Sequence, residues 1–204
     1  FHPDAFACGL LNSQPMGFYA PAQIVRDARE NGVEVLPVDV SFSFWDNTLE
    51  PATSPASKHR ALRIGFRQID GFKRVDTKEL KQLHENDWSE RIAAARLRRP
   101  FQSLEDFARD TGLPKRALLL LADADAFRSL GLDRRAALWA VRRLPDDVPL
   151  PLFVAAAARE QPDEAAKPLP AMALSEHVVA DYQSIRLSVK GHPMQFLRAL
   201  FARE

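Results

Sequence analysis

A single cysteine, Cys8, is too little for a disulfide framework or a cysteine-rich zinc site. No apolar run approaches ~18 residues, so the sequence predicts no membrane-spanning helix. The first residues, Phe1-His2-Pro3-Asp4, hold no initiator methionine, no basic stretch and no signal-peptide core. The expectation is an excised piece of a larger intracellular, cytoplasmic protein. P-loop, GxGxxG and HExxH motifs are missing; His84-Glu85 is followed by Asn86, Asp87 and Trp88 and goes no further. The five histidines lie far apart, which argues against a metal cluster and for surface or packing roles.

What is present suits a folded chain. With 204 residues, 46% hydrophobic and 27% charged, it can bury a core as one domain or two small ones. The net charge of +1 conceals an asymmetry. Residues 58–143 carry 20 Lys and Arg against 12 Asp and Glu, while the rest is acidic. A basic middle suits an anionic partner, foremost nucleic acid. Solvated helix faces account for it equally well, because arginine is also a good helix former.

The pattern predicts a mainly α chain with a small β unit. Pro3 to Leu11 reads as a buried helix ended before Pro15, and Pro21 opens a second that stops at Asn31-Gly32. The runs 33–40, 45–50 and 60–66 read as short strands, with residues 53–57 as a loop between two of them. A long polar helix is expected from about Thr77 to Arg98. Ser103 opens another that ends at Gly112; Pro114 begins the next, and Asp133 to Arg143 forms a further one. Residues 145–170, with six prolines and no periodicity, read as a linker. Two more helices follow it.

Two segments suit tight turns between helices, residues 68–74 around Gly71 and residues 121–127. Such a turn lets backbone N–H groups approach a DNA phosphate while nearby Lys or Arg complete the contact, and no base is read. Candidate DNA contacts are Gly71, Lys73 and Arg74 at the first turn, Lys115 and Arg116 in a first helical turn, and Arg134 and Arg135 beyond the second hairpin. Solvated surface charge is the alternative for all six cations. Asp123 and Asp125 have a metal-site spacing, but at a helix junction they do not converge as they would on a strand. Asp125 is expected to cap the following helix.

The run from Leu10 through Leu11-Asn12-Ser13-Gln14-Pro15-Met16-Gly17-Phe18-Tyr19 to Ala28 closely resembles the fingers region of bacterial C-family DNA polymerases, the polymerase III alpha subunit family, in its error-prone translesion branch. The resemblance continues through residues 35–40, 61–67 and 124–131. It implies the end of the fingers over 1–67, a tandem helix-hairpin-helix module over 68–144, a linker over 145–170, and a helical lead-in to an oligonucleotide-binding-fold domain over 171–204. It further implies a DNA-directed DNA polymerase whose catalytic aspartates, with their Mg²⁺, lie upstream. The fragment itself is then inactive, needs no cofactor, and holds primer–template duplex without sequence preference. Pro149-Leu150-Pro151-Leu152-Phe153 resembles the short peptide with which bacterial polymerases enter the sliding clamp, without its leading glutamine. Leu150, Leu152 and Phe153 are therefore candidate contacts for the clamp or an accessory mutagenesis protein, or fold back on the body. The chain departs from the family where Lys73 replaces a hairpin glycine, where Thr77 replaces a small residue, and where Asp125 stands at a glycine position of the replicative branch. A carboxylate facing a phosphate is repulsive, so the second hairpin is expected to be structural.

Overall fold

The computed structural model describes residues 2–15, 17–72, 87–145 and 170–201. Helix α1 (Pro3–Asn12) starts on a proline, whose missing N–H falls where no intrahelical partner exists, and it buries Ala7 and Leu11. Helix α2 (Pro21–Glu30) begins the same way and faces Ile24, Val25 and Ala28 inward. The Gln23 side chain turns back to accept the Ala20 N–H at 3.0 Å.

Three short strands follow: β1 (Val35–Leu36), β2 (Thr48–Glu50) and β3 (Ala61–Arg63), in the order β1-β3-β2. β3 runs parallel to β1, with Val35 opposite Leu62, and antiparallel to β2, with Leu49 opposite Leu62. Each lies inside an expected strand run but is shorter. Pro37 has no N–H to extend the ladder, and its carbonyl accepts instead from Arg63 Nη1 at 2.8 Å. Beyond β3, Gly65 packs so tightly on the 45–46 backbone that a Cβ would lie 2.4 Å from the Trp45 carbonyl oxygen.

The expected long helix begins later than the pattern suggests. Asp87 is extended (φ −83°, ψ 111°), and its carboxylate accepts the N–H groups of Ser89 and Glu90, so α3 spans Trp88–Arg98. A helix running through residue 87 is thereby excluded; residues 73–86 lie outside the described residues. Ser103 caps α4 (Leu104–Thr111), and α5 (Lys115–Asp123) follows Pro114. Asp133 caps α6 (Arg134–Arg143) by accepting the Ala136 N–H at 2.8 Å. Residues 146–169, with most of the expected linker, also lie outside the described residues. Helices α7 (Leu174–Ile185) and α8 (Pro193–Phe201) come last.

The core runs continuously from α1 to α6 and across residue 67. Phe107 stacks edge-on against Phe101 and Phe127, with ring centroids 4.9 and 5.2 Å apart. Arginines from distant segments tie the elements together. The last carbonyls of a helix lack intrahelical partners and carry the negative end of its dipole. Arg67 donates to Asn12 O at the end of α1, and Arg91 to Thr111 O at the end of α4. Arg134 donates to Asp123 O at the end of α5, and Lys115 to Leu144 O just past α6. Much of the basic excess therefore closes helix ends.

Candidate nucleic-acid interface

The first turn is a short 3-10 segment (Phe66–Gln68) followed by Gly71, whose φ of +76° suits a residue without a Cβ. The turn lies against α5, where a Cβ on Gly71 would be 3.8 Å from Leu120 Cδ1. α7 holds it from the other side. The Asp70 N–H donates to Ser184 O at 2.8 Å, and Arg186 pairs with the Asp70 carboxylate at 3.0 Å. Between these elements opens a cleft of about 500 Å³, lined among others by Gly71, Arg116, Leu120, Asp123, Gln183 and Ser184.

The six candidate cations separate into different roles. Arg116 is exposed, faces this cleft and makes no hydrogen bond or ion pair among the described residues. Lys115, its neighbour, is half-buried at the α6 carbonyl. Arg135 donates to Pro170 O at 3.0 Å and to Glu176 at 3.1 Å, which fastens α6 to α7. Lys73 and Arg74 lie outside the described residues, as do Leu150, Leu152 and Phe153.

Arg134 corrects the sequence reading. Its side chain is 3% exposed and bonded to Asp181, itself 2% exposed, and to the carbonyls of Asp123 and His177. A guanidinium so enclosed cannot reach a phosphate. The first turn of a helix after a hairpin suggested exposure, but the end of α5 and the return of α7 enclose it.

The second hairpin joins α5 to α6 through Ala124–Asp133. Asp125 has φ +60°, a left-handed conformation that glycine adopts most easily and that is consistent with the glycine the resemblance implies for the replicative branch. Its carboxylate is buried rather than presented outward, accepting from Arg128 Nε at 2.9 Å and pairing with Lys190 Nζ at 3.1 Å. It does not cap α6, which Asp133 does. Lys190 also bridges to Asp181 at 2.9 Å, and Ser188 Oγ donates to the other Asp181 oxygen at 2.7 Å. A buried network of alternating charge thus welds the hairpin to the chain beyond α7. The sequence reading missed Lys190 and Asp181, whose pairing with the hairpin only the fold brings about.

Asp123 and Asp125 point to different places, one to the cleft and one inward. Among the described residues no group of three or more His, Cys, Asp or Glu could hold a metal ion, and no helix is long and apolar enough to cross a membrane. Burial pushes the Asp123 carboxyl up from its ordinary range, and nearby Arg134 and Arg142 oppose this in part. Arg142, which sequence reasoning did not select, lies close enough to Asp123 to act on its charge.

Two helices joined through a left-handed turn, with a second turn packed alongside, define a helix-hairpin-helix unit. Residues 32–137 match the model of the helix-hairpin-helix motif family, and the chain belongs to that family. The matched span begins within the segment assigned to the fingers and takes in the small sheet. Over its full length the chain is 70% identical to a protein of Rhodopseudomonas palustris named error-prone DNA polymerase, of which it covers 17%. It is 62% identical to the error-prone DNA polymerase of Bradyrhizobium diazoefficiens, covering 21% of it, and 59% identical to that of Brucella abortus, covering 17%. Each alignment includes all of this chain, so the resemblance to the error-prone branch holds throughout, while the chain spans only about a fifth of these relatives' length.

Proposed function

We propose that this chain is the part of an error-prone DNA polymerase that holds duplex DNA through its phosphates, without reading bases. The observation that carries the proposal is the convergence on one cleft of the Gly71 turn and the Arg116 guanidinium, which has no partner among the described residues, in a helix-hairpin-helix chain. Gly71 has no side chain to bar a phosphate, Asp70 beside it is already paired with Arg186, and the Arg116 cation neutralises the anion. The whole protein would then be a nucleotidyltransferase of DNA-damage-induced, translesion synthesis in the cytoplasm. Its catalytic aspartates and Mg²⁺ would lie outside this chain, and this chain would act by gripping the product duplex.

Arg116→Glu should weaken binding to fluorescent primer–template DNA to a similar degree for every sequence, measured by anisotropy. It should also reduce the salt slope by about one unit, as expected for one lost phosphate contact. An unchanged affinity and slope would move the DNA off this cleft. Asp123 gives a second test. A carboxyl with a raised pKa takes up its proton at higher pH than a free one, so acidification removes a negative charge beside Arg116 early. Affinity should therefore rise as pH falls toward the acid range. Asp123→Asn should bind more tightly at neutral pH and lose that rise; a variant with the parent's pH profile would refute the assignment.

A further inference from the structure

Residues 39–46 form a loop that the duplex-holding role leaves unused. It is rigid and fastened to the second hairpin. The Val40 N–H donates to Ala126 O at 2.9 Å, the Asp39 carboxylate accepts the Ser129 N–H at 3.0 Å, and the Ser41 and Ser129 hydroxyls bond at 2.7 Å. Ser43 Oγ donates to Ile64 O at 2.7 Å and accepts the Asp39 N–H at 3.0 Å. On this frame two phenyl rings point outward: Phe42 is 52% exposed and Phe44 51%. Each is backed by a guanidinium. Arg63 sits 5.2 Å from the centroid of Phe42, and Arg96 sits 4.5 Å from that of Phe44. Neither arginine is free to move, since Arg63 is held by Glu50 and Pro37 O, and Arg96 by Val40 O and Ser43 O.

An ordinary exposed phenylalanine costs solvation and gives nothing in return. Two of them, two residues apart on a pinned loop with a cation behind each, form a different object. A guanidinium on one face draws electron density from the ring and fixes its orientation. The other face can then meet an electron-rich π system without further ordering of the side chain. Arg96 donates to backbone oxygens and Arg63 pairs with Glu50, while the Asp39 and Glu50 carboxylates also act on Arg96, so what the loop offers outward is the two ring faces. Flat and electron-rich describes unpaired nucleobases, and the loop is fastened to the very hairpin that the duplex-holding reading sets on DNA. Base-paired DNA hides its ring faces within the stack and offers these phenyl rings nothing.

We propose that Phe42 and Phe44 are a stacking platform for the unpaired bases of a single DNA strand, placed beside the hairpin module that grips the duplex. This rests on the DNA-holding reading but uses a different surface and a different part of the substrate. The platform requires a π face, not merely an apolar side chain.

The test uses the intact chain with two probes, fluorescein-labelled oligothymidylate and a fluorescent blunt duplex, followed by anisotropy at low salt. Phe42→Ala with Phe44→Ala should weaken oligothymidylate binding by about tenfold or more, with duplex affinity essentially unchanged. Phe42→Leu with Phe44→Leu keeps apolar bulk and should lose binding as the alanine pair does. Phe42→Trp with Phe44→Trp should retain it. Far-UV circular dichroism of each variant checks that the fold is intact. Leucine variants that bind oligothymidylate like the parent would overturn the platform, as would a parent chain that binds duplex but not oligothymidylate. A parent chain that binds neither probe would overturn the duplex-holding reading along with it.

Discussion

Replacing Arg134 by alanine should cost about 3–5 kcal/mol of folding stability, the range for removing one partner of a buried ion pair. The guanidinium joins three elements, reaching the Asp181 carboxylate, Asp123 O at the end of α5 and His177 O within α7. Without it both carbonyls lose a donor, and Asp125 and Asp181 are left to share Lys190 and Arg128. Urea denaturation of the chain measures the loss. Lysine at the same position should recover only part of it, because a single ammonium cannot serve three acceptors set apart like these. A loss under about 1 kcal/mol would return Arg134 to the class of surface charges.

Gly65→Ala should be comparably severe, for a reason unrelated to charge. The backbone at Gly65 is ordinary (φ −89°), so no left-handed conformation demands glycine here. Space does: the added Cβ would meet Trp45 O at 2.4 Å and the Asp46 carbonyl carbon at 2.5 Å, both of them backbone atoms. Relief requires separating the 45–46 strand lead from the end of β3. That in turn breaks the bond of the Gly65 N–H to Asn47 Oδ1 (3.0 Å) and the Phe66 and Arg67 N–H bonds to Phe44 O and Trp45 O. About 3 kcal/mol or more should be lost, at the upper end of overpacking costs. A thermal melt matching the parent would show that the two segments part easily.

The helices were legible because their signals are local. Pro3 and Pro21 at helix starts, Ser103 and Asp133 as caps and Gly112 as a stop all act within one turn of themselves. Asp87 misled for the same reason in reverse. The apolar period ran straight through it, and only its capping geometry starts the helix afresh. Strand lengths were overestimated because a β-branched run reports a buried, extended segment, whereas a ladder also needs a neighbour with free N–H groups, which Pro37 lacks. The site was read less well. Arg116 and Arg134 look alike in sequence, each in the first turn of a basic helix. One faces a cleft and the other lies under α7. What separates them is decided by residues 174–190, across a segment whose sequence gives no hint of where it leads.

The buried charge network also has a consequence in time. Arg134 and Asp181 are 47 positions apart in the chain, and Arg29 meets Val189 O across 160. A ribosome adds ~5–20 residues each second, so Arg134 emerges on the order of seconds before Asp181, and Asp125, although Arg128 follows it at once, on the order of seconds before Lys190. During that interval the hairpin carries an acidic side chain in a left-handed backbone with its lysine not yet made. Residues 181–190 therefore complete a turn built earlier in synthesis, and premature termination before Lys190 would leave Arg128 alone to hold the Asp125 carboxylate.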